Sequence, residues 1–193
     1  MEFEKVHDIL NDIHPLTQNA WRDFSELLEP LELKRNEYLV REGSKTDNCY
    51  LLHNGVVRVF YNQDGNEYNK TFFTAGMFPT ALTALISNSP SNLSFQALLP
   101  CRLTQFSYHG FRKLFSEHRC LESLMRVILE QVWIKKERHD IRMVTNDATT
   151  NYQIFKKEYP SLENEIAQYH IASYLGIKPQ SLSRIRRQLS GQE

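Results

Sequence analysis

The sequence has no net excess of charge, few cysteines and no long hydrophobic run. Lys and Arg total 23 and Asp and Glu total 23, so any attraction to nucleic acid must come from a local basic patch. Cys49, Cys101 and Cys120 are odd in number and far apart, which offers neither a disulfide framework nor closely spaced metal ligands and predicts a reducing compartment. The charged opening MEFEKVHDIL and the lack of a membrane-spanning run predict a cytoplasmic protein without a membrane partner.

The most informative stretch is His170 to Leu189, HIASYLGIKPQSLSRIRRQL. Two short helical patterns meet at Gly176, a residue that takes a left-handed backbone without steric cost. Pro179 suits the first position of the second helix because its ring fixes φ at a helical value. Together these features are typical of a helix-turn-helix. Its predicted core residues are Ile171, Ala172 and Leu175 on the first helix, and Leu182, Ile185 and Leu189 on the second.

The second helix presents a polar face opposite its apolar one. Gln180, Arg184 and Arg187 stack at i, i+4 and i+7, and Gln and Arg can form paired hydrogen bonds with adenine and guanine edges in the major groove. The charged residues of the stretch are all basic. The alternative is an ordinary solvated helix face. The predicted DNA-binding residues are Lys178, Gln180, Ser181, Ser183, Arg184, Arg186 and Arg187.

The rest of the chain changes periodicity twice. Residues 1 to about 33 look helical, and residues 37–108 form short strands between turns, with Asp64-Gly65 predicting a hairpin. A long helix then runs to about residue 143, followed by a hinge near residues 145–150. Its apolar stripe could pack on the protein's own barrel, but we favour a two-fold dimer interface because charged residues follow it. The predicted interface residues are Leu121, Leu124, Met125, Ile128 and Val132.

This order of parts resembles the Crp/Fnr family of bacterial transcription regulators. The resemblance rests on EGSKTDNCYLLHNGVVRVF and AGMF in the barrel and on IASYLGIKPQSLSRIRR at the end. It implies an α+β fold with a cyclic-nucleotide-binding-like effector domain, a β-roll or jelly-roll barrel, at residues 1–115. A dimerisation helix at residues 116–144 and a helix-turn-helix domain at residues 145–193 would follow. It also implies a homodimer that binds near-palindromic double-stranded DNA, with RNA polymerase as a further partner.

The sequence departs from the family in the phosphate cassette, GMFPTALTALISNSPSNLSF. Where the family's cyclic-nucleotide binders have Gly-Glu and later Arg, this chain has Thr80-Ala81 and Ser91-Asn92, and residues 76–99 contain no basic residue. A buried cyclic phosphate would lack a cationic partner, which argues against cyclic AMP as the effector. An apolar ligand, or none, is the expectation, and no cofactor is assigned. The residues that could line such a pocket are Phe72, Phe73, Phe78, Thr80, Ala81, Leu82, Ser91 and Asn92.

Two rival functions predict different residue patterns. A cupin-like enzyme needs clustered His and carboxylate ligands, whereas the strand region before His109 contains only His53, so we assign no catalytic residue and no metal. A barrel that regulates a protein partner would use the terminal helices only to complete its fold. The printed sequence ends at Glu193, where the family continues into a small β wing, and we expect fewer phosphate contacts per half-site as a result.

Overall fold

The computed structural model describes residues 2–190. In that part of the chain the strands form two antiparallel sheets, ordered β1-β7-β3 and β2-β6-β4-β5. The strands are β1 (Glu29–Leu33), β2 (Tyr38–Val40), β3 (Asn48–Asn54), β4 (Val57–Gln63), β5 (Asn66–Phe73), β6 (Ser94–Ala97) and β7 (Cys101–Ser107). The helices are α1 (Glu2–Ile13), α2 (Gln18–Ser25), α3 (Leu82–Ser87), α4 (Tyr108–Lys113), α5 (Arg119–Thr145), α6 (Ala148–Glu158), α7 (Leu162–Glu165), α8 (Gln168–Tyr174) and α9 (Pro179–Ser190), with a 3-10 turn at Leu114–Ser116.

The N-terminal helices cover one side of the barrel. Phe24 of α2 is fully buried. Its ring contacts the ring of Phe106 edge to face and the ring of Phe111 at a tilted angle. The prediction of helix as far as residue 33 is wrong at its end, because Glu29–Leu33 is a strand paired with β7. Its side chains alternate between exposed and half-buried, and Pro30 is tolerated because β1 is an edge strand.

The predicted hairpin at Asp64-Gly65 is confirmed. Both turn residues have positive φ, 54° and 82°, as a two-residue turn matched to the strand twist requires. The segment is not wholly β, since α3 interrupts it. The run LTALIS has good helix formers, and α3 ends at Asn88, which has a left-handed backbone with φ 48°.

Helix α5 is confirmed as a long helix, and it has two parts. Leu121 and Leu124, near its start, are buried against the N-terminal helices and the barrel, whereas residues 130–138 are all exposed. The helix ends at Thr145, and the break at Asn146-Asp147 falls within the predicted hinge.

The C-terminal helices α6–α9, here termed the C-terminal unit, form one core that includes barrel residues. Phe155, Ile171 and Leu182 are fully buried in it, together with Val56 and Phe72 of the barrel. The unit therefore packs directly on the barrel.

Arg142 ties the end of α5 to the same unit. Its guanidinium donates to Glu158 Oε1 at 2.5 Å and Oε2 at 2.7 Å, and to the Tyr174 hydroxyl at 2.7 Å. The hinge between α5 and α6 is therefore spanned by a partly buried ion pair.

Candidate functional site

The turn between α8 and α9 has the geometry that the sequence predicts. Gly176 has φ +66°, and a Cβ placed there would meet no atom within 4 Å, so backbone conformation rather than space favours glycine at this position. Pro179 is the first residue of α9. Lys178 precedes it and is exposed.

Helix α9 buries one face and exposes the other. Leu182 and Ile185 are buried in the core of the C-terminal unit, while Gln180, Arg184 and Arg187 are exposed. Ser183 is also exposed and Ser181 is half-buried. The result is a continuous polar surface of three cations with amide and hydroxyl groups, which we term the α9 surface (Lys178, Gln180, Ser183, Arg184 and Arg187).

Arg186, one of the predicted DNA-binding residues, is half-buried and lies beside the α9 surface rather than in it. Its Nε lies 3.9 Å from Glu163 Oε2 of α7, and its Nη1 is buried. Glu163 in turn accepts a hydrogen bond from the Tyr152 hydroxyl. The reason is helical geometry, since Arg186 follows the buried Ile185 and lies beside the apolar face. Arg186 is therefore partly enclosed by the C-terminal unit, near the Glu163–Tyr152 hydrogen bond.

The predicted effector pocket is not assembled, because its residues face different cores. Phe72 is directed outward into the core shared with the C-terminal unit, whereas Phe73 faces the barrel and stacks on Phe95 with ring centroids 6.5 Å apart. Phe78 and Leu82 pack against the core formed with the N-terminal helices.

The polar members of the predicted pocket have structural partners instead. Thr80 Oγ1 accepts from the Tyr50 backbone N–H at 3.0 Å. The Ser91 hydroxyl donates to the Leu93 carbonyl at 2.8 Å. Ala81 is buried in the barrel core, and Asn92 is exposed.

The barrel interior is occupied by protein side chains. Its core includes Val40, Tyr50, Val59 and Phe95, and burial raises the pKa of the Cys101 thiol in the same core to about 11, so that thiol is protonated. A cleft of about 240 Å³ lies outside the barrel, next to the C-terminal unit, and its lining includes Asn54, Thr74, Leu99 and Tyr159.

Most of the predicted dimer stripe on α5 is covered by the chain itself. Leu121 and Leu124 have exposed fractions of 0% and 1% within one chain, and Met125 and Ile128 pack partly on the same core. Packing on the protein's own barrel, the alternative interpretation, accounts for these four residues. Only Val132 is exposed, at 53%.

A different apolar face of α5 is exposed, and sequence reasoning missed it. Ile134, Ile141 and Val144 recur at i, i+7 and i+10, the spacing of a coiled-coil interface, with exposed fractions of 47%, 58% and 87%. Trp133 beside them is 66% exposed. We term these four residues the α5 seam. At roughly 100° per residue, the seam is centred on the side of the helix opposite Leu121. The heptad spacing of Ile134 and Ile141 was the available signal.

One group of potential metal ligands occurs among the described residues. Asp23, Glu117 and His118 have ligand atoms within 4.8 Å of one another. His118 Nε2 lies 2.7 Å from Asp23 Oδ2, and Arg22 contacts the other oxygen of the same carboxylate. The contact of His118 with Asp23 connects the start of α5 to α2, so the cluster has a structural explanation.

No helix among residues 2–190 is long and apolar enough to cross a membrane.

Comparison with known proteins supports the barrel's fold. Residues 30–118 match the family model of the cyclic nucleotide-binding domain, and this part of the chain therefore has that domain's jelly-roll-like fold. No curated protein matches the sequence closely.

Similar solved structures extend beyond the barrel. One is CLP from Xanthomonas campestris, a c-di-GMP-responsive global regulator that links cell-cell signalling to virulence gene expression. It is 16% identical with a TM-score of 0.70, over 91% of this chain and 93% of that chain. Another is FixK2 from Bradyrhizobium japonicum, 17% identical with a TM-score of 0.71, over 86% and 85%. A cyclic nucleotide-binding domain from Methylobacillus flagellatus is 20% identical with a TM-score of 0.62, over 71% and 79%. The chain thus has the fold of a cyclic nucleotide-binding domain followed by a long helix and further helices.

Proposed function

We propose that the protein is a sequence-specific DNA-binding transcription regulator of the Crp/Fnr type that acts as a homodimer. The observation that carries the proposal is the α9 surface, on which Gln180, Arg184 and Arg187 are exposed while the opposite face completes the core of the C-terminal unit. Helices α8 and α9 then form the helix-turn-helix, with α9 in the major groove.

The domain boundaries of the proposal are residues 1–115 for the effector domain, 116–144 for the dimerisation helix and 145–193 for the DNA-binding domain. The α5 seam supplies the two-fold contact. An exposed Trp133 next to Ile134 is costly for a solvated helix, and a second copy would remove both from water. Two α9 helices would then meet half-sites about 34 Å apart.

The effector of this regulator is not cyclic AMP in our proposal. The place of the family's phosphate-binding Arg is taken by Ser91-Asn92, and Ser91 is already hydrogen-bonded within its own loop. The protein is also not an enzyme in our proposal, since the described residues do not converge on a catalytic group.

A barrel that regulates a protein partner remains the second candidate, and one observation favours it. The C-terminal unit shares a core with Val56 and Phe72 of the barrel, as expected if those helices merely complete the fold. Under that alternative the α9 surface has no role in recognition.

Selection from random duplex DNA by the purified full-length protein separates the two candidates. We expect enrichment of a two-fold symmetric sequence with half-sites about one helical turn apart. As a matched control, the Arg184→Ala, Arg187→Ala double variant should enrich nothing while keeping the wild-type melting temperature. Equal enrichment by both proteins, or by neither, would contradict DNA recognition through α9.

A further inference from the structure

The side of β5 that faces α8 carries polar contacts between the barrel and the C-terminal unit. β5 is an edge strand, paired only with β4, so its outward backbone groups need other partners. The Ser173 hydroxyl supplies two: it accepts from the Asn69 backbone N–H at 2.9 Å and donates to the Glu67 carbonyl at 3.1 Å. Helix α8 therefore covers this edge by hydrogen bonding as well as by contact.

Buried side chains extend the same contact. Asn69 Nδ2 donates to the His170 backbone carbonyl at 2.9 Å, and Arg58 Nη1 lies 3.4 Å from His170 Nδ1. Arg58 has an exposed fraction of only 5% and is held by Glu67 at 2.6 Å and by Gln96 Oε1 at 2.8 Å. We term the contacts of Arg58, Glu67 and Asn69 with His170 and Ser173 the latch.

The latch leaves α8 with little free surface. His170 and Ser173 face β5, and Ile171, Ala172 and Tyr174 are buried. Within α8 only Gln168 and Tyr169, both in its first turn, are exposed. In a helix-turn-helix bound to DNA, the first helix crosses the phosphate backbone while the second lies in the groove. The docked position of α8 therefore leaves only its first turn free for backbone contact.

We propose that the latch is an autoinhibitory contact: it holds the C-terminal unit against β5 in a form with low DNA affinity, and its release frees α8 for the DNA backbone. This inference rests on the proposed function. In a two-state equilibrium the apparent dissociation constant is the intrinsic constant divided by the fraction of open molecules. Weakening the latch without touching the α9 surface therefore strengthens DNA binding.

The direct test is Ser173→Ala in the full-length protein. The change removes the hydroxyl that pairs with the β5 edge, and alanine is a good helix former, so α8 itself is retained. Hydrogen exchange of the Asn69 amide, followed by NMR or mass spectrometry, should accelerate about tenfold because a buried amide loses its acceptor. Affinity for the selected duplex, measured by fluorescence anisotropy, should rise by up to about the same factor.

A second variant and a control keep the test decisive. Asn69→Ala weakens the latch from the barrel side and leaves the C-terminal unit unaltered, so it should also strengthen DNA binding. Ser87→Ala removes a hydroxyl of the same kind from α3, where it donates to the Thr83 carbonyl at 2.7 Å. It should change neither the Asn69 exchange rate nor DNA affinity.

The outcomes distinguish the inference from the function on which it rests. Faster Asn69 exchange in Ser173→Ala, together with unchanged or weaker DNA binding in both variants, would overturn autoinhibition. Unchanged exchange in Ser173→Ala would overturn the latch itself. If the wild type and every variant fail to bind any duplex, the proposed function fails and the autoinhibitory role fails with it.

Discussion

Among the described glycines, Gly55 is the one where an added Cβ would approach neighbouring atoms most closely. It links β3 to β4 with φ +98°, and a Cβ there would lie 2.5 Å from the Pro100 carbonyl oxygen. We expect Gly55→Ala to lower the free energy of unfolding by about 3 kcal/mol, since left-handed strain and overlap with rigid backbone add. Gly65→Ala is the matched control: its φ is +82° in open space, and we expect a loss of about 1 kcal/mol. Equal losses in urea denaturation would contradict this account.

Arg184 is the residue whose replacement tests base recognition most directly. Its side chain is exposed on α9, so truncation should not disturb folding. We expect Arg184→Ala to lose about 1–3 kcal/mol of discrimination at one base position in each half-site. Lys157→Ala, an exposed cation on α6, serves as the control and should retain full discrimination. Competition titrations with single-base variants of the selected duplex provide the measurement, and unaltered selectivity in Arg184→Ala would refute the assignment.

His170 makes stability depend on pH. Burial, and then Arg58, lower its pKa from 6.5 to about 4, with Arg35 acting in the same direction and Glu67 opposing them. The folded state takes up this proton less readily than the unfolded chain. The free energy of unfolding is therefore highest above pH 6.5 and falls by up to about 3 kcal/mol as the pH is lowered towards 4.

Thermal melting between pH 7 and pH 4 checks the prediction for His170. The wild type should lose stability over this range, and His170→Gln should lose clearly less. Burial also lowers the pKa of His139, so a smaller loss of the same sign remains. An identical pH profile in the variant would mean that His170 is not the group responsible.

At the scale of single elements, α5 shows what sequence reasoning could and could not provide. Its length and helical character followed from periodicity, but the stripe at Leu121 and Leu124 belongs to the chain's own core. Any apolar stripe satisfies the same pattern whether the surface that covers it comes from the same chain or another. Whether the stripe packs on its own chain or on a second copy depends on how far along α5 the barrel extends. Tertiary structure sets that limit.

Strands show a comparable limit. Phe72 and Phe73 are neighbours in β5, so they point to opposite sides of the sheet. Because both are phenylalanines, residue type does not show which one faces the barrel interior. On residue type alone, both are therefore predicted to line one pocket. By contrast, the Asp64-Gly65 turn and the Gly176 turn depend on local backbone conformation, and for that reason the sequence was sufficient to predict them.

The α5 seam yields a prediction about assembly. Ile141→Glu places a charge at the centre of the exposed apolar face, and we expect it to convert a dimer to a monomer because the carboxylate would be desolvated in the interface. Val132→Glu is the matched control: Val132 is similarly exposed, 53% against 58%, but lies on the opposite side of α5. Sedimentation equilibrium should find a monomer for the first variant and a dimer for the second. The reverse result would place the dimer contact on the Val132 side of α5.

At the scale of the whole molecule, the barrel has the fold of a cyclic nucleotide-binding domain, and residues 76–99, where the family's phosphate cassette would lie, contain no basic residue. Residues 30–118 match that domain, while its interior is filled by side chains such as Tyr50 and Phe95. We expect calorimetric titration with cyclic AMP to give no saturable heat at micromolar concentrations, since residues 76–99 offer no cation to replace the hydration of the phosphate. Micromolar saturation would show that the core rearranges to admit the ligand.

The edge of β5 limits how long the protein can remain in the form in which the latch is released. When the C-terminal unit leaves, the backbone groups of Asn69 and Glu67 lose the Ser173 hydroxyl and become an unprotected strand edge. Such an edge can pair with the same edge of another molecule. Opening in the absence of DNA would thus carry a risk of aggregation, and reclosure protects the protein from it.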